Sequence, residues 1–510
     1  MNAAKPDGKT LNPFAAAVLF IAVVAATHFL HGRVYYPHVV VDSQQDVRLE
    51  FLQAGLLKSE ACESAVATIA DAIRASCPAC RVAIRQCPGK LEPAYEKLLS
   101  EDPIEMPSSR LPHGVVAYVS DNKALALAAC RETERLTGAT TVCYPPGSKR
   151  PFQAKPQRFE SGQVLAGLMI LLLAGLTSAF VGHLILRYDA FHANWSYDPV
   201  KTGPQKFHSA PTPRIGGLEV MAGLFVSGAV LLASLPAFAG GISEDATKNV
   251  GVLTRLLLTM LAAAFGVWLL GAVIPRLDIP GFDALLKWGP FAIAFTMFAV
   301  GGVANSINII DGYNGLAAGH AVIVLAAIAW VSALVGDSFL FTSALAMIGA
   351  LLGFLAWNYP KGKIFLGDGG AYLLGFWLAE LSVLLVARHP EVSPWFPMLL
   401  LVYPIFETLF SMYRRKFIQR QSPGQPDRMH MHQVIYMRLT WSRTNVSDPA
   451  LMTRLNSMVA PFGWLMSLCC AVPALLFWRE TQWLMMWSFL FSTAYVLLYH
   501  WLTRSGSSAT

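Results

Sequence analysis

The chain has 510 residues, of which 54% are hydrophobic and only 14% are charged, and its mean hydropathy is +0.46. This apolar share exceeds that of a soluble domain, so the composition excludes an ordinary soluble enzyme and predicts a protein that lies mostly in lipid. The formal net charge of +7 is small for this length. Its Lys and Arg residues gather in particular loops, without a basic stripe of interleaved aromatic residues, which argues against binding of nucleic acid.

The first apolar run, residues 13–30, is about 18 residues long and can therefore span a membrane. It follows Lys5 and Lys9, and no convincing A-x-A cleavage site precedes His31. We therefore predict an uncleaved signal anchor at residues 1–33. A cleaved signal peptide is the alternative.

Residues 34–158 have the composition of a soluble α/β domain, with the strand-like segments HVVV, RVAI and GVVAYV and a helical stretch at 60–75. This segment holds six of the eight cysteines, namely Cys62, Cys77, Cys80, Cys87, Cys130 and Cys143. The anchor would deliver it to the oxidising side of the membrane, so we predict an extracytoplasmic, periplasmic domain with structural disulfides. The CxxC of Cys77 and Cys80 leaves a redox site or a zinc site as alternatives, although a helix followed by a strand reverses the thioredoxin-like order.

Residues 159–505 form the multi-pass region. Its apolar runs are residues 162–186, 216–243, 251–275, 289–304, 317–336, 340–357, 371–387, 395–412, 455–477 and 483–502. Most of these runs have the length of a membrane-spanning helix. The predicted fold is therefore mostly α, a polytopic bundle of about 11–12 transmembrane helices with the α/β domain inserted after the first helix.

Three basic loops set the expected orientation. They lie at residues 187–215, 361–363 and 414–443, and the positive-inside rule places all three in the cytoplasm. The run 216–243 lies between two of them and, at about 28 residues, is too short for two full spans. We therefore expect a hairpin of two partial helices that turns near Ser227 and Gly228 and returns Glu244 and Asp245 to the cytoplasmic side.

Polar stretches at the ends of apolar runs are costly in a membrane and indicate functional sites. In KFHSAPTPRIGG, the cations Lys206, His208 and Arg214 lie beside Pro and Gly residues and predict an anion-binding entrance, with snorkelling positive charge as the alternative. In NSINIIDGYNG, Asn305, Asn308 and Asp311 recur every three residues within one arc of a helix. We expect these three side chains to converge on a ligand, whereas plain interhelical hydrogen bonding is the alternative.

Two further polar stretches follow. In FLGDGG, Asp368 provides a carboxylate for Mg²⁺ and the glycines let a phosphate approach the backbone, while a simple helix cap is the alternative. In PDRMHMHQ, Arg428, His430 and His432 lie in a basic loop and suit pyrophosphate recognition better than metal ligation.

The four stretches, in this order, resemble the motifs KxHxxPxPRxGG, NxxNxxDGxxG, MGDxG and DRxHxHH of the polyprenyl-phosphate N-acetylhexosamine-1-phosphate transferases, the glycosyltransferase group 4 membrane enzymes. The resemblance covers about residues 187–440, with helices continuing to 502. The acidic motif DDxxD of that family corresponds to Glu244-Asp245, with Lys248 in place of its last acid. Asn314 and Gln433 also replace residues that are commonly Asp and His.

The resemblance implies transfer of a sugar-1-phosphate from a UDP-sugar to undecaprenyl phosphate, with release of UMP and with Mg²⁺, or Mn²⁺ in its place, as cofactor. It implies that Asp368 and Asp245 bind the metal. The catalytic group would be Glu244, Asp245, Asp311, Asp368 and His430, and the substrate-binding group would be Lys206, His208, Arg214, Asn305, Asn308, Arg428 and His432. PTPRIGG contains an Arg that the corresponding GTPTMGG-like stretch of phospho-MurNAc-pentapeptide translocase lacks. The motifs are therefore more similar to those of the enzymes that start O-antigen, enterobacterial common antigen or capsule synthesis. A UDP-N-acetylhexosamine such as UDP-GlcNAc is the expected donor.

The resemblance also implies a bacterial inner-membrane protein with its active site on the cytoplasmic face and with the lipid bilayer, UDP-sugar and undecaprenyl phosphate as partners. No nucleic acid is expected, and the sequence leaves a homo-oligomer open. A membrane transporter is one alternative, which predicts charged groups near the membrane midplane. A catalytically weak scaffold for surface-polymer assembly is the other.

Overall fold

The computed structural model describes residues 48–52, 81–85, 115–119, 140–144, 161–198, 211–225, 228–422, 427–441 and 448–504. Four short strands lie in the first part: β1 (Arg48–Leu52), β2 (Arg81–Arg85), β3 (Val115–Val119) and β4 (Thr140–Tyr144). β1 pairs with β4 and β2 pairs with β3, both antiparallel. The predicted strands RVAI and GVVAYV are confirmed. The first apolar run, HVVV, the helical stretch 60–75 and the CxxC segment lie outside the described residues.

The rest of the described chain is almost entirely helical. Its elements are α1 (Ser161–Arg187), α2 (Ala193–Ser196), β5 (Tyr197–Asp198), β6 (Thr212–Pro213), α3 (Gly216–Gly223), α4 (Gly228–Thr247), α5 (Val252–Leu270), α6 (Phe282–Leu286), α7 (Gly289–Ile310), α8 (Leu316–Val335), α9 (Ser338–Asn358), α10 (Gly367–Arg388), α11 (Trp395–Leu400), α12 (Val402–Tyr413), α13 (Met431–Trp441), α14 (Pro449–Ser457), α15 (Val459–Leu476) and α16 (Thr481–Arg504).

Seven segments of the described chain are long and apolar enough to cross a membrane: α1, α5, α7, α8, α9, α10 and the continuous pair α14–α15. The mostly α, polytopic membrane fold is therefore confirmed. The count of eleven or twelve spans stays a prediction. The predicted single run at 395–412 is divided, because α11 ends at Leu400 and α12 begins at Val402.

Helix α10 forms the centre of the bundle. It packs against α3, α4, α7 and α8, and Tyr372, Phe376 and Trp377 are completely buried. A helix that is apolar on all sides is enclosed by other helices rather than exposed at one face. At its far end, Arg388 Nη1 and His389 Nε2 lie 3.4 and 3.0 Å from Asp337 Oδ2, beside the start of α9. Its other end carries Asp368.

Helices α3 and α4 form the expected hairpin. A side chain at Gly217 would collide with the backbone of Gly370, and one at Gly241 would collide with the backbone of Asp368. The beginning of α3 and the last turns of α4 therefore meet at the start of α10. Helix α4 has 20 residues, about 30 Å, and continues beyond the apolar run to Thr247. Neither α3 nor α4 is among the seven candidate spans, so the two partial helices stay a prediction.

Helices α1 and α9 run side by side in the same direction. A Cβ atom at Gly349 would collide with the carbonyl of Leu171, and one at Gly353 would collide with the carbonyl of Gly175. Small residues allow this close approach of two backbones in a membrane. This packing places the end of α9, and hence the loop before α10, at the same end of the bundle as the end of α1.

Candidate active site at the start of helix α10

Asp245 holds the first turn of α10. Its Oδ1 accepts the backbone N–H of Asp368 at 3.0 Å, and its Oδ2 accepts that of Gly369 at 2.8 Å. The side chain is fully buried. The first N–H groups of a helix lack partners within the helix and carry partial positive charge, so a carboxylate stabilises them. Asp245 therefore acts as the cap of α10 from a helix 123 residues earlier in the chain.

Asp368 is free of that capping role and points towards three other side chains. Its Oδ1 accepts the Asn308 amide at 2.8 Å and lies 3.4 Å from Arg214 Nη2, while its Oδ2 forms an ion pair with Arg255. The simple helix-cap alternative does not fit, because the carboxylate has no hydrogen bond to its own helix among the described contacts. Asp368 is the point where α3, α5, α7 and α10 meet.

The polar end of α7 brings its residues to this point as expected. Asn308 contacts Asp368, and one turn earlier Asn305 Oδ1 accepts the Tyr372 hydroxyl at 3.3 Å. Asp311 ends the helix. The predicted arc therefore faces α10, and its amide groups orient the groups at the start of that helix.

Asp311 lies in the field of the same charges. Burial raises the pKa of its carboxyl to about 7, the Arg214 cation opposes that rise, and the carboxylates of Asp368 and Asp245 add to it. None of the described residues hydrogen-bonds this carboxylate. The group is therefore available to a ligand and changes charge near neutral pH.

Arg214 is fixed by the loop that precedes α3. The N–H of Phe365 donates to Pro213 O at 2.9 Å, and the N–H groups of Gly216 and Gly217 donate to the carbonyls of Phe365 and Leu366 at 3.0 and 2.9 Å. This pairing joins PTPRIGG directly to FLGDGG. Burial alone would lower the pKa of the Arg214 guanidinium, but the nearby carboxylates, that of Asp368 foremost, raise it, so the cation is retained.

The histidine motif, which contains His430 and His432, packs against the loop that follows α7. His430 Nδ1 is 2.9 Å from Glu407 Oε1, and the rings of His430 and His432 stack with centroids 5.4 Å apart. His432 also packs edge-on against Tyr313, with centroids 5.5 Å apart. The structure therefore brings the HMH sequence next to the residues that directly follow Asp311.

Four predicted residues lie away from this centre or beyond the described chain. Glu244 turns back onto its own loop, where its Oε2 accepts the N–H of Val250 at 2.7 Å. Arg428 is exposed. Lys206 and His208 lie outside the described residues, so their place in the site stays a prediction.

Sequence reasoning missed two residues that build the site. Arg255 pairs with Asp368 and is almost buried in the first turn of α5, and its signal was a lone cation in an apolar run. Asn358 Oδ1 accepts the N–H of Gly315 at 2.6 Å, and its Nδ2 donates to Ile364 O at 2.8 Å. Asn358 therefore links the loop after α7 to the loop before α10.

Asn314, a departure from the family pattern, has a place in the same linkage. Its Nδ2 donates to Pro360 O at 3.2 Å, and its backbone N–H donates to Asn456 Oδ1 at 2.9 Å. The side chain is nearly buried. Asn314 therefore supports the loop rather than offering a charge to a ligand.

The residues at α10 fit Mg²⁺ with few protein ligands. Within the described residues, no group of three or more His, Cys, Asp or Glu side chains is arranged to hold a metal ion. Asp368 offers a carboxylate beside the Asn308 amide, and each oxygen of Asp245 keeps a lone pair after capping α10. Mg²⁺ commonly takes only one or two carboxylates and completes its shell with phosphate oxygens and water. The carboxylates of Asp368 and Asp245 match this coordination preference.

The fold and the site together define a multi-pass membrane protein with a centre of buried carboxylates and guanidinium groups at one end of its helix bundle. The family model described as "Glycosyl transferase family 4" matches residues 227–386, which include Asp245, Asn308, Asp311 and Asp368.

Curated relatives agree with that match. A probable undecaprenyl-phosphate N-acetylglucosaminyl 1-phosphate transferase of Bacillus subtilis is 31% identical over 241 residues, 45% of this chain and 66% of the relative. An undecaprenyl-phosphate alpha-N-acetylglucosaminyl 1-phosphate transferase of Thermotoga maritima is 29% identical over 46% of this chain and 72% of the relative. A phospho-N-acetylmuramoyl-pentapeptide-transferase of Streptococcus pneumoniae is 30% identical over 41% of this chain and 69% of the relative. The chain belongs to the polyprenyl-phosphate hexosamine-1-phosphate transferase family.

Proposed function

We propose that the protein transfers N-acetylhexosamine-1-phosphate from a UDP-sugar to undecaprenyl phosphate, releases UMP and so starts a cell-envelope polysaccharide on its lipid carrier. The observation that carries this proposal is the convergence of Asp368, Asn308 and Arg214 at the start of α10, with Asp311 beside them. The names of the relatives support the acceptor class and the transferred group.

The reaction is a phosphoryl transfer. An oxygen of the lipid phosphate attacks the phosphorus that bears the sugar, and the bond from that phosphorus to the bridging oxygen breaks. The electron pair leaves with UMP. The lipid phosphate is largely ionised near pH 7, so the step needs no proton removal by the protein. Positioning and neutralisation of charge therefore carry most of the catalysis.

The residues divide these tasks. Arg214 presents a guanidinium to the phosphates, and Arg428 and His430 approach them from the neighbouring loop. Asn305 and Asn308 orient the groups at α10. Asp311 binds the nucleotide-sugar through hydrogen bonds that a carboxylate accepts.

We propose that Asp368, with Asp245, holds Mg²⁺, and that Mn²⁺ can replace it. The bound metal would neutralise charge on the diphosphate. Arg255 and Arg214 pair with Asp368 in the structure. These cations orient the carboxylate.

The orientation rests on the positive-inside rule. Arg414 and Arg415 begin the π-helical turn Arg414–Ile418 that follows α12. Lys361 and Lys363 lie in the loop before α10, at the same end of the bundle as Asp368. We therefore propose that this end faces the cytoplasm of a bacterium and that the protein resides in the inner membrane.

Transport is less well supported by the arrangement of charges. Glu380 is buried in α10, twelve residues or about 18 Å along the helix from Asp368, and its carboxylate has no hydrogen bond among the described residues. It packs against Gly266 of α5. A translocation path needs a series of polar groups, and an isolated carboxyl group does not form one.

The deciding assay uses purified protein with Mg²⁺, undecaprenyl phosphate and a panel of UDP-sugars, and it measures UMP release together with the lipid-linked product. We expect turnover with a UDP-N-acetylhexosamine. Asp368→Asn should reduce it at least about 1,000-fold, since the variant loses charge at the centre of the site. Cys77→Ser should leave it largely intact. Absence of turnover with every donor would refute the proposal, and loss of activity in Cys77→Ser alone would direct attention to residues 34–158.

A further inference from the structure

A buried carboxylate outside the sequence motifs supports the histidine pair. Glu407, on α12, is 1% exposed, and its Oε1 lies 2.9 Å from His430 Nδ1. Its Oε2 accepts the Tyr495 hydroxyl at 2.6 Å and the backbone N–H of Met431 at 3.1 Å. Every described partner of this carboxylate is therefore a hydrogen-bond donor, and His430 is the one that can carry a positive charge.

The second carboxylate near His430 is already occupied. Asp427 Oδ2 lies 3.8 Å from His430 Nε2, but the same oxygen forms an ion pair with Arg414. Its Oδ1 accepts the N–H of Met429 at 3.0 Å. A buried charge is costly unless it is paired. Arg414 satisfies Asp427, whereas His430 satisfies Glu407.

We propose that Glu407 is a positioning residue, which accepts a hydrogen bond from Nδ1–H of His430 and so orients the ring for Nε2–H of its imidazolium form to donate to a phosphate oxygen of the substrate. The hydrogen bond at one ring nitrogen of a histidine decides what the other nitrogen can do. This inference rests on the proposed function for its substrate, but the state of the His430 ring can be observed without turnover.

The position of Glu407 also affects the rest of the site. His430 stacks on His432, and His432 packs against Tyr313, two residues after Asp311. Fixing the first ring therefore fixes the second and the loop that carries Asp311. No sequence motif indicates this role, because Glu407 lies 23 residues before His430 in an apolar run.

Three variants separate positioning from packing. Glu407→Leu removes the acceptor and should lower kcat about 10- to 100-fold, the range seen when the partner of a functional histidine is removed. Glu407→Gln keeps an acceptor for Nδ1–H and should recover a large part of that loss. Tyr495→Phe removes a different hydrogen bond from the same carboxylate, so it is the matched control and should stay within about threefold of the wild type.

The second measurement is ¹⁵N NMR of histidine-labelled protein in detergent micelles, with the His430 signal assigned from its absence in His430→Gln. We expect a proton on Nδ1 in the wild type and in Glu407→Gln, and a ring protonated on Nε2 alone in Glu407→Leu. A wild-type ring without a proton on Nδ1, an unchanged ring in Glu407→Leu, or equal losses in Glu407→Leu and Tyr495→Phe would overturn the inference. Inactive wild-type protein would refute the proposed function alone, since the ring state would still be measured.

Discussion

Asp245 Oδ1 accepts a hydrogen bond from the backbone N–H of Asp368, at 3.0 Å, so one acidic residue of the site fixes the helix turn that presents the other. Two carboxylates that the sequence treats as similar therefore have different tasks. Asp245 organises the backbone, and Asp368 faces Asn308, Arg214 and Arg255.

The neighbouring acids Glu244 and Asp245 should respond differently to neutralisation. Asp245→Asn keeps one acceptor but loses the other and the charge, so we expect a loss of about 1–2 kcal/mol in stability and at least tenfold in turnover. Glu244→Gln changes a carboxylate whose described hydrogen bond stays within its own loop, so it should stay near the wild type. Thermal unfolding in detergent and the UMP-release assay measure both effects. Similar losses in the two variants would contradict this division.

Arg255 should be required because it neutralises Asp368 from within the bundle. Arg255→Ala leaves that carboxylate with less positive charge around it, and we expect turnover to fall about 10- to 100-fold. Arg255→Lys retains the charge without the planar fork and should recover part of the activity. Steady-state kinetics of both variants would check this. An Arg255→Ala protein with wild-type kcat would show that the pair is dispensable.

Asn358 should matter for stability as well as for activity. Asn358→Leu removes both hydrogen bonds and leaves the N–H of Gly315 and the carbonyl of Ile364 without partners, at a cost of about 1–3 kcal/mol for each buried group. Thermal unfolding should therefore occur at a lower temperature. An unchanged unfolding temperature in Asn358→Leu would contradict the linkage of the two loops.

Asp311 should make the metal-free protein less stable as pH rises. Its pKa is raised to about 7, chiefly by burial, whereas an exposed Asp titrates near 3.9. Between these values the folded protein binds more protons than the unfolded chain, so its stability falls as pH rises from about 4 to about 7 and levels off above. Unfolding temperatures in the presence of a chelator measure this. Asp311→Asn should lose that component of the decline, and an identical pH dependence in both proteins would refute it.

The sequence predicted the parts of the site that depend on local pattern. An apolar run ends or is interrupted at Asn308, Arg214 and Asp368. A polar group at such a position is costly in a membrane and therefore indicates a functional site. Their predicted location on one side of the membrane followed from counting the membrane crossings between them. The α4 helix shows the limit of that reasoning, because hydropathy ended the run at residue 243 although the helix continues to Thr247.

Other features depend on tertiary contacts that no local pattern records. Glu244 and Asp245 are adjacent, yet successive residues of a helix point about 100° apart, so only one of them faces α10. Arg255 and Glu407 lie inside apolar runs, where a single charge barely changes the average hydropathy. Their partners, Asp368 and His430, are 113 and 23 residues away.

Helix α10 has 22 residues, about 33 Å, with Asp368 in its first turn and Arg388 in its last. Asp245 accepts a hydrogen bond from the first turn of this helix, and Asp337 pairs with His389 at its other end. A packed helix hardly shortens along its axis, so contacts at both ends of α10 together determine the position of Asp368 along the bundle. A change in bilayer thickness would then strain the contacts of Asp245 and Asp337 before it displaced Asp368.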